Sequence, residues 1–131
     1  YSIWRRDYAI VTEGIFDTIR LTMCGFENCV AVLGVAMSFH QMCLLARYTD
    51  RIVLLFDSDE SGMKAHRFAR KLALKANLHP YHIALPTKDI DEYLLSGGEE
   101  EFRNCLTKTL VGDNLTTSLK TRLGELNRLL T

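Results

Sequence analysis

The chain has 131 residues, 47% of them hydrophobic and 24% charged, and its 16 Lys and Arg residues balance its 16 Asp and Glu residues. This length suits one domain with a substantial core, and the zero net charge excludes a general attraction to nucleic acid, so such a contact would need a local basic patch. Apolar runs stay shorter than the roughly 18 to 20 residues of a membrane span, and no signal-peptide pattern opens the chain.

Strand-like and helix-like apolar patterns alternate from the N-terminus to about residue 86. The sequence predicts strands at 8–12, 29–34, 51–56 and 81–85. It predicts helices between them, at 14–25, 38–48 and 60–77. Ser38 and Gln41 resemble a capping box at the start of the second helix. The alternation indicates an α/β fold with a central, mostly parallel four-stranded sheet flanked by helices.

Apolar residues recur at helical spacing in two of these helices. The first helix carries on one face Ile15, Phe16, Ile19 and Met23. The third carries at the same kind of spacing Ala65, Phe68, Ala69, Leu72 and Ala76.

The chain reads as helical from Asp89 to its end. Its last segment carries a leucine stripe formed by Leu115, Leu119, Leu123, Leu126 and Leu130. This apolar face needs a partner, either within the same domain or in a neighbouring one. We predict one domain at 1–108 and a C-terminal helical extension at 109–131.

The chain begins with tyrosine rather than methionine, so we expect a fragment of a longer protein or a processed product. Its four cysteines form no CxxC pair and match no zinc-ligand spacing. We therefore expect buried thiols, in keeping with a cytoplasmic location.

Acidic residues follow three of the four predicted strands. They are Glu13 after the first strand, Asp57 and Asp59 after the third, and Asp89 and Asp91 after the fourth. Because the carboxyl ends of parallel strands meet at one edge of the sheet, we expect these side chains to lie close together. Asp17, one helical turn beyond Glu13, points back towards the same edge.

Clustered carboxylates raise one another's pKa unless cations neutralise them. Their hard oxygen atoms suit Mg²⁺ or Mn²⁺, and such sites commonly carry out phosphoryl or nucleotidyl transfer. A purely structural interpretation stays open, because Asp59 and Asp89 could cap the helices that follow them and Glu13 could be a loop residue. The combination of acids at three strand ends favours a metal site.

Three stretches resemble the Toprim domain, and more narrowly that of bacterial (DnaG-type) primases. They are VTEGIFD at 11–17, LLFDSDESGMKA at 54–65 and LPTKDIDEYL at 85–94. GFENCVAVLGVAMS at 25–38 also looks like the second strand and loop of those primases. The last of the three stretches matters most, because topoisomerase and nuclease Toprim domains generally lack it. One departure is Ile90, which stands where primases commonly have proline.

The resemblance implies a Toprim-type Rossmann-like fold and a role for each acid. Asp57 and Asp59 match the Mg²⁺-binding pair, and Glu13 matches a glutamate that serves as metal ligand or general acid/base. Asp17 matches an aspartate near the metals, and Asp89 and Asp91 match the extra acidic pair of primases. Glu13, Asp57 and Asp59 are thus the expected catalytic residues. Gly14 and Gly62 match glycines that allow close backbone approach, although simple turn chemistry would also account for them.

The resemblance also implies Mg²⁺-dependent synthesis of RNA primers on a single-stranded DNA template, with NTPs as substrates and a replicative helicase as partner of the parent protein. We expect no membrane association and little activity from the isolated fragment. Candidate phosphate-binding residues are Arg5, Arg6, Lys64, Arg67 and Lys88. A solvated helix face explains Lys64 and Arg67 equally well.

Three rival functions share the same acids. A topoisomerase-type enzyme needs a tyrosine nucleophile, and none of the five tyrosines here has a recognisable context for that role. A Toprim nuclease would cleave DNA with similar acids. A non-catalytic Toprim module would bind partners and no metal.

Overall fold

Four parallel strands form the central sheet, in the order β2-β1-β3-β4. The strands are β1 Ala9–Thr12, β2 Cys29–Ala31, β3 Arg51–Leu55 and β4 His79–His82. The structure is a computed structural model that describes residues 1–34 and 36–130, and in the last helix its description of side chains covers 99–112, 128 and 130. The α/β prediction is confirmed, and every strand pairing in the described ranges is parallel.

The position of β4 differs from the predicted 81–85. Its pairing with β3 starts at Arg51 opposite His79, next to a hydrogen bond from the His79 N–H to the Asp50 carbonyl at 2.6 Å. Pro80, which lacks an N–H, is tolerated because β4 is an edge strand. The apolar run after Tyr81 therefore lies largely beyond the strand, which sequence periodicity does not reveal.

Six helices accompany the sheet in the described ranges. They are α1 Ser2–Arg6, α2 Ile15–Met23, α3 Phe39–Ala46, α4 Glu60–Lys75, α5 Ile90–Leu95 and α6 Glu99–Leu130. The predicted capping box opens α3, because Ser38 Oγ accepts from the Gln41 N–H at 3.2 Å and Gln41 Oε1 accepts from the Ser38 N–H at 2.8 Å. The short helix α1 was not predicted.

The two faces of the sheet are covered by different helices. One face packs against α3 and α4 in a core that includes Val11, Met42, Leu54 and Ala73. Helix α2 lies against α5 and covers the other face. The apolar side chains predicted on one face of α2 are exposed, whereas Leu21 and Asp17 of that helix are buried.

The chain divides into two compact units, Tyr1–Glu99 and Glu100–Thr131. The first holds the sheet and helices α1 to α5, and the second consists of helix α6. Leu130 is exposed, and the rest of the predicted leucine stripe lies outside the residues whose side chains are described.

The cysteines and the helix lengths bear on two further expectations. The predicted burial of the cysteines was wrong, since three are partly exposed and Cys105 is exposed. No helix in the described part of the chain combines the length and apolar character required to cross a bilayer.

Candidate active site at the carboxyl ends of the strands

Glu13 and Asp57 meet where the chain reverses its direction across the sheet. The chain runs from β1 outward to β2 and then crosses back to β3, so β1 and β3 flank the topological switch point. Glu13 follows β1, Asp57 follows β3, and the Asp57 N–H donates to Glu13 Oε1 at 3.3 Å. Open parallel sheets bind ligands at such switch points, so the fold directs two of the predicted site residues to the position where a ligand is expected.

An open cleft of about 810 Å³ lies over these strand ends. The acids that line it are Glu13, Asp17, Asp57, Asp89 and Asp91. Helix α4 contributes Ser61, Lys64, Ala65 and Phe68, and other apolar contacts come from Phe16, Val32, Met37 and Phe56. Five of the six predicted acids therefore reach one cleft, and Asp59 is not among its lining residues.

Asp17 ties the site together through backbone contacts. The residue is only 8% exposed. One oxygen, Oδ2, accepts from the Gly14 N–H at 3.2 Å, and the other, Oδ1, accepts from the Asp91 N–H at 3.4 Å. Asp17 thus connects the end of β1 to the first turn of α5.

Asp59 and Asp89 are helix caps. Asp59 Oδ1 accepts from the Gly62 N–H at the start of α4, and Asp89 Oδ1 accepts from the Glu92 N–H at the start of α5, both at 2.8 Å. The capping alternative drawn from the sequence is therefore confirmed for both residues. In each cap Oδ1 accepts the capping hydrogen bond, and Oδ2 takes no part in the cap.

Gly62 brings α4 unusually close to the end of β3. A Cβ atom at this position would overlap the backbone carbonyl of Asp57 and would lie 2.6 Å from its carbonyl carbon. Gly14 is less constrained, since a Cβ there would meet Asp17 Oδ2 at 3.3 Å. Close backbone approach thus explains Gly62, and it sets the position of the Asp57 backbone relative to α4.

The acidic loops after β3 and β4 are joined directly. The Ser58 N–H donates to the Lys88 carbonyl at 2.7 Å, and the Ser58 hydroxyl donates to the Thr87 carbonyl at 2.9 Å. This connection holds Asp57 and Asp89 on neighbouring loops.

Arg20 contacts a cleft residue, Asp91, and was not among the predicted site residues. Its Nε donates to Asp91 Oδ1 at 2.8 Å, and both side chains are about one-third exposed. The only sequence hint is its position one helical turn after Asp17, on the helix that follows Glu13.

Burial and mutual repulsion raise the pKa of three carboxyl groups. The pKa of Glu13 is raised by burial and by the charge of Asp57, although the Asp57 N–H opposes this. The pKa of Asp57 is raised by burial and by Asp89 and Asp59, with Lys88 acting in the opposite direction. Burial also raises the pKa of Asp17, although the two backbone N–H groups that it accepts from lower it. The site therefore holds negative charge that its own cations leave incompletely balanced.

The donor set fits a hard divalent cation. Carboxylate oxygens are the ligands that Mg²⁺ and Mn²⁺ prefer, and a cation would relieve the repulsion that raises the pKa of Glu13 and Asp57. In the described ranges no three His, Cys, Asp or Glu side chains are arranged around a single point. Mg²⁺ is usually held by one or two carboxylates together with waters and substrate phosphates. Glu13 and Asp57 could supply these two carboxylates.

The predicted basic residues separate into different environments. Lys64 lines the cleft, and the positive charge of Lys88 lowers the pKa of Asp57. Arg6 Nη2 donates to the Gly25 carbonyl after α2 at 2.8 Å, and Arg5 lies over the Tyr1 ring at 5.8 Å. Arg67 is exposed and is not among the cleft residues.

The fold and site define a Rossmann-like α/β domain with an acidic cleft at its switch point. A family model described as Toprim-like matches residues 10–94, and the chain belongs to that family.

The curated relatives are named DNA primase. The chain is 37% identical over 115 residues to the DNA primase of Aquifex aeolicus, an alignment that covers 87% of this chain and 23% of that protein. It is 38% identical over 115 residues to the DNA primase of Synechococcus elongatus, covering 82% of this chain and 17% of that protein. The chain thus spans about a quarter or less of the length of these relatives.

Solved primase structures share the fold. The zinc-binding and RNA polymerase domains of the Aquifex aeolicus primase superpose with a TM-score of 0.76 at 37% identity, covering 82% of this chain and 27% of that one. A DNA primase domain from Pseudomonas aeruginosa gives a TM-score of 0.67 at 30% identity, covering 82% of this chain and 36% of that one. The resemblance to primase Toprim domains seen in the sequence is thereby confirmed.

Proposed function

We propose that the chain is the metal-binding catalytic domain of a DNA primase and supports Mg²⁺- or Mn²⁺-dependent nucleotidyl transfer, which makes RNA primers on single-stranded DNA for replication in the cytoplasm. The observation that carries this proposal is the meeting of Glu13 and Asp57 at the switch point, in a cleft shared with Asp89 and Asp91. The names of the relatives support the choice of primase among Toprim functions.

In the proposed reaction the 3′-hydroxyl of the growing RNA attacks the α-phosphate of an NTP, a new phosphodiester bond forms, and pyrophosphate leaves. Glu13, Asp57 and the uncapped oxygens of Asp59 and Asp89 would hold the cations, and Asp91 would support them. A bound cation would neutralise phosphate charge and orient the NTP. Glu13 would either complete this cation site or, as its raised pKa allows, accept the proton of the attacking hydroxyl.

Lys64 and Lys88 complement this arrangement. Lys64 points into the cleft from α4, one turn beyond Ser61, and Lys88 lies beside Asp57. Ammonium groups at these positions would bind the phosphates that the acids alone repel. Arg5, Arg6 and Arg67 stay candidates for contacts with nucleic-acid phosphates. A replicative helicase stays the expected partner of the complete protein.

Metal binding by the 131-residue chain tests the first part of the proposal. Titration with Mn²⁺, followed by electron paramagnetic resonance, should show binding that Asp57→Asn weakens by about tenfold or more. Asp50→Asn is the matched control, because Asp50 is an exposed aspartate outside the cleft. Equal Mn²⁺ affinity in all three proteins would contradict the assignment of Asp57 as a ligand. Absence of Mn²⁺ binding by all three, the wild type included, would favour a non-catalytic Toprim module.

Activity assays separate primase from the other enzymes. Primer synthesis on single-stranded DNA should appear with the complete product of the gene and be weak or absent with this chain alone. Nicking of a supercoiled plasmid by the chain with Mn²⁺ would instead indicate a nuclease. None of the five tyrosines, which all lie in the described ranges, lines the cleft, and this argues against a strand-breaking nucleophile supplied by this chain.

A further inference from the structure

The cleft has an apolar wall next to its acidic edge. Helix α4 contributes Ser61, Lys64, Ala65 and Phe68, whose spacing places them on one face of the helix. Ser61 lies in the first turn, near the end of β3, and Phe68 lies about 10 Å further along the helix. The same face therefore changes from polar and cationic near the acids to aromatic away from them.

A second exposed phenylalanine enters the cleft from the opposite side of the sheet. Phe16 follows the Glu13–Gly14 strand end in the first turn of α2, and it is 73% exposed. Phe68 is 47% exposed. Single exposed apolar side chains are common, but here two exposed phenylalanines line one cleft together with Val32, Met37 and the buried Phe56.

We propose that Phe16 and Phe68 are positioning residues that stack on the base of the nucleotide whose phosphates the acidic edge binds, an inference that rests on the proposed function. The order of groups along α4 matches the order of parts in an extended nucleotide, with phosphates at one end and the base at the other. The cleft volume of about 810 Å³ falls within the range of small-molecule sites, roughly 300 to 1,000 Å³.

Phenylalanine has no hydrogen-bonding group with which to read the edge of a base. Stacking on such rings tolerates every base, since each base has a π-face. The two phenylalanines should therefore strengthen the binding of all four NTPs to a similar extent, and leave the choice of nucleotide to pairing with the template.

Isothermal titration calorimetry on the 131-residue chain tests this role directly. The ligands are Mn²⁺-ATP and Mn²⁺ with inorganic triphosphate, which has the phosphates but no base. The double variant Phe16→Ala/Phe68→Ala should weaken ATP binding by about 5- to 100-fold and leave triphosphate binding unchanged. Phe68→Trp should retain ATP binding because it keeps a stacking surface.

Leu74→Ala is the matched control, since Leu74 is another exposed apolar residue of α4 (52% exposed) that does not line the cleft. Circular dichroism would establish that each variant is folded. Unchanged ATP affinity in the double variant, or an equal loss for ATP and triphosphate, would overturn the stacking role while leaving the metal–phosphate site intact. If the wild-type chain bound neither ligand, the proposed function itself would fail.

Discussion

Gly62 offers a sharp test of how the fold positions Asp57 and Asp59. A Cβ atom at Gly62 would overlap the Asp57 carbonyl and would lie 2.6 Å from its carbon and 2.9 Å from the Asp57 Cα, distances that real Cβ atoms essentially never show. The Gly62 N–H also donates to Asp59 Oδ1 at 2.8 Å. Gly62→Ala should therefore push the first turn of α4 away from the end of β3 and break the Asp59 cap.

The expected loss of stability follows from these contacts. Forcing extra volume into a packed site costs about 1–3 kcal/mol, and loss of a helix cap costs about 1 kcal/mol. The better helix propensity of alanine offsets about 1 kcal/mol of this. The free energy of unfolding should thus fall by about 1–3 kcal/mol, and Tm should fall by about 5–20 °C for a domain the size of Tyr1–Glu99.

Thermal unfolding followed by circular dichroism in EDTA measures this loss, and Mn²⁺ titration shows whether the displaced acids still bind. Gly112→Ala is the matched control, because a Cβ at that helical glycine of α6 would meet no atom within 4 Å outside the adjoining turns of its own helix backbone. It should leave the unfolding of the first unit unchanged. A Gly62→Ala protein that melts within about 2 °C of the wild type and binds Mn²⁺ equally would refute the proposed contact between α4 and Asp57.

Three further substitutions probe the charges of the first unit. The pKa of Asp57 in the folded state lies above its usual 3.8, so the metal-free protein loses stability as the pH rises from 3.8 through the folded-state pKa. In EDTA at pH 7, Asp57→Asn should therefore raise the free energy of unfolding by a few tenths to about 1 kcal/mol, and a lower value in urea unfolding would contradict this. The pKa of buried His66 in the folded state lies below its usual 6.5, so its burial costs no stability above pH 6.5 and lowers stability as the pH drops below 6.5. His66→Leu should therefore reduce the fall in Tm below pH 6.5, and an unchanged dependence of Tm on pH would contradict this. Arg20→Gln should cost about 1 kcal/mol of unfolding free energy, more than Asp7→Asn, because Arg20 and Asp91 are 2.8 Å apart and each about one-third exposed, whereas Asp7 lies 3.6 Å from Arg51 and is 66% exposed. Equal costs for the two variants in denaturant unfolding would contradict this.

The meeting of Glu13 and Asp57 was predictable because two simple rules suffice. Apolar runs mark the strand ends, and parallel topology brings those ends to one edge. Whether Asp59 and Asp89 serve as caps or as ligands was not decidable from the sequence, since both roles require a carboxylate directly before a helix. The structure shows the caps and leaves one oxygen of each residue available for the proposed site.

Other features depend on contacts between distant parts of the chain. The Arg20–Asp91 pair joins residues 71 positions apart, and no local pattern reports it. The apolar stripe on α2 indicated the helix correctly but not which side packs inward, because the inward positions hold Leu21 and the carboxylate of Asp17. Asp17 can be buried there only because two backbone N–H groups, from Gly14 and Asp91, donate to it.

The same kind of contact explains how the fold tolerates so many acids at one edge. Glu13, Asp17, Asp59 and Asp89 each accept a hydrogen bond from at least one backbone N–H, and these bonds fix the carboxylates in place. Backbone donors carry no net charge, so they orient the acids without neutralising them, and the pKa values of Glu13 and Asp17 stay raised. Lysine or arginine partners for every acid would have made the free protein more stable but would have competed with a bound cation. Orientation by the backbone, with the charge left unbalanced, is what a site that recruits a divalent cation together with phosphates requires.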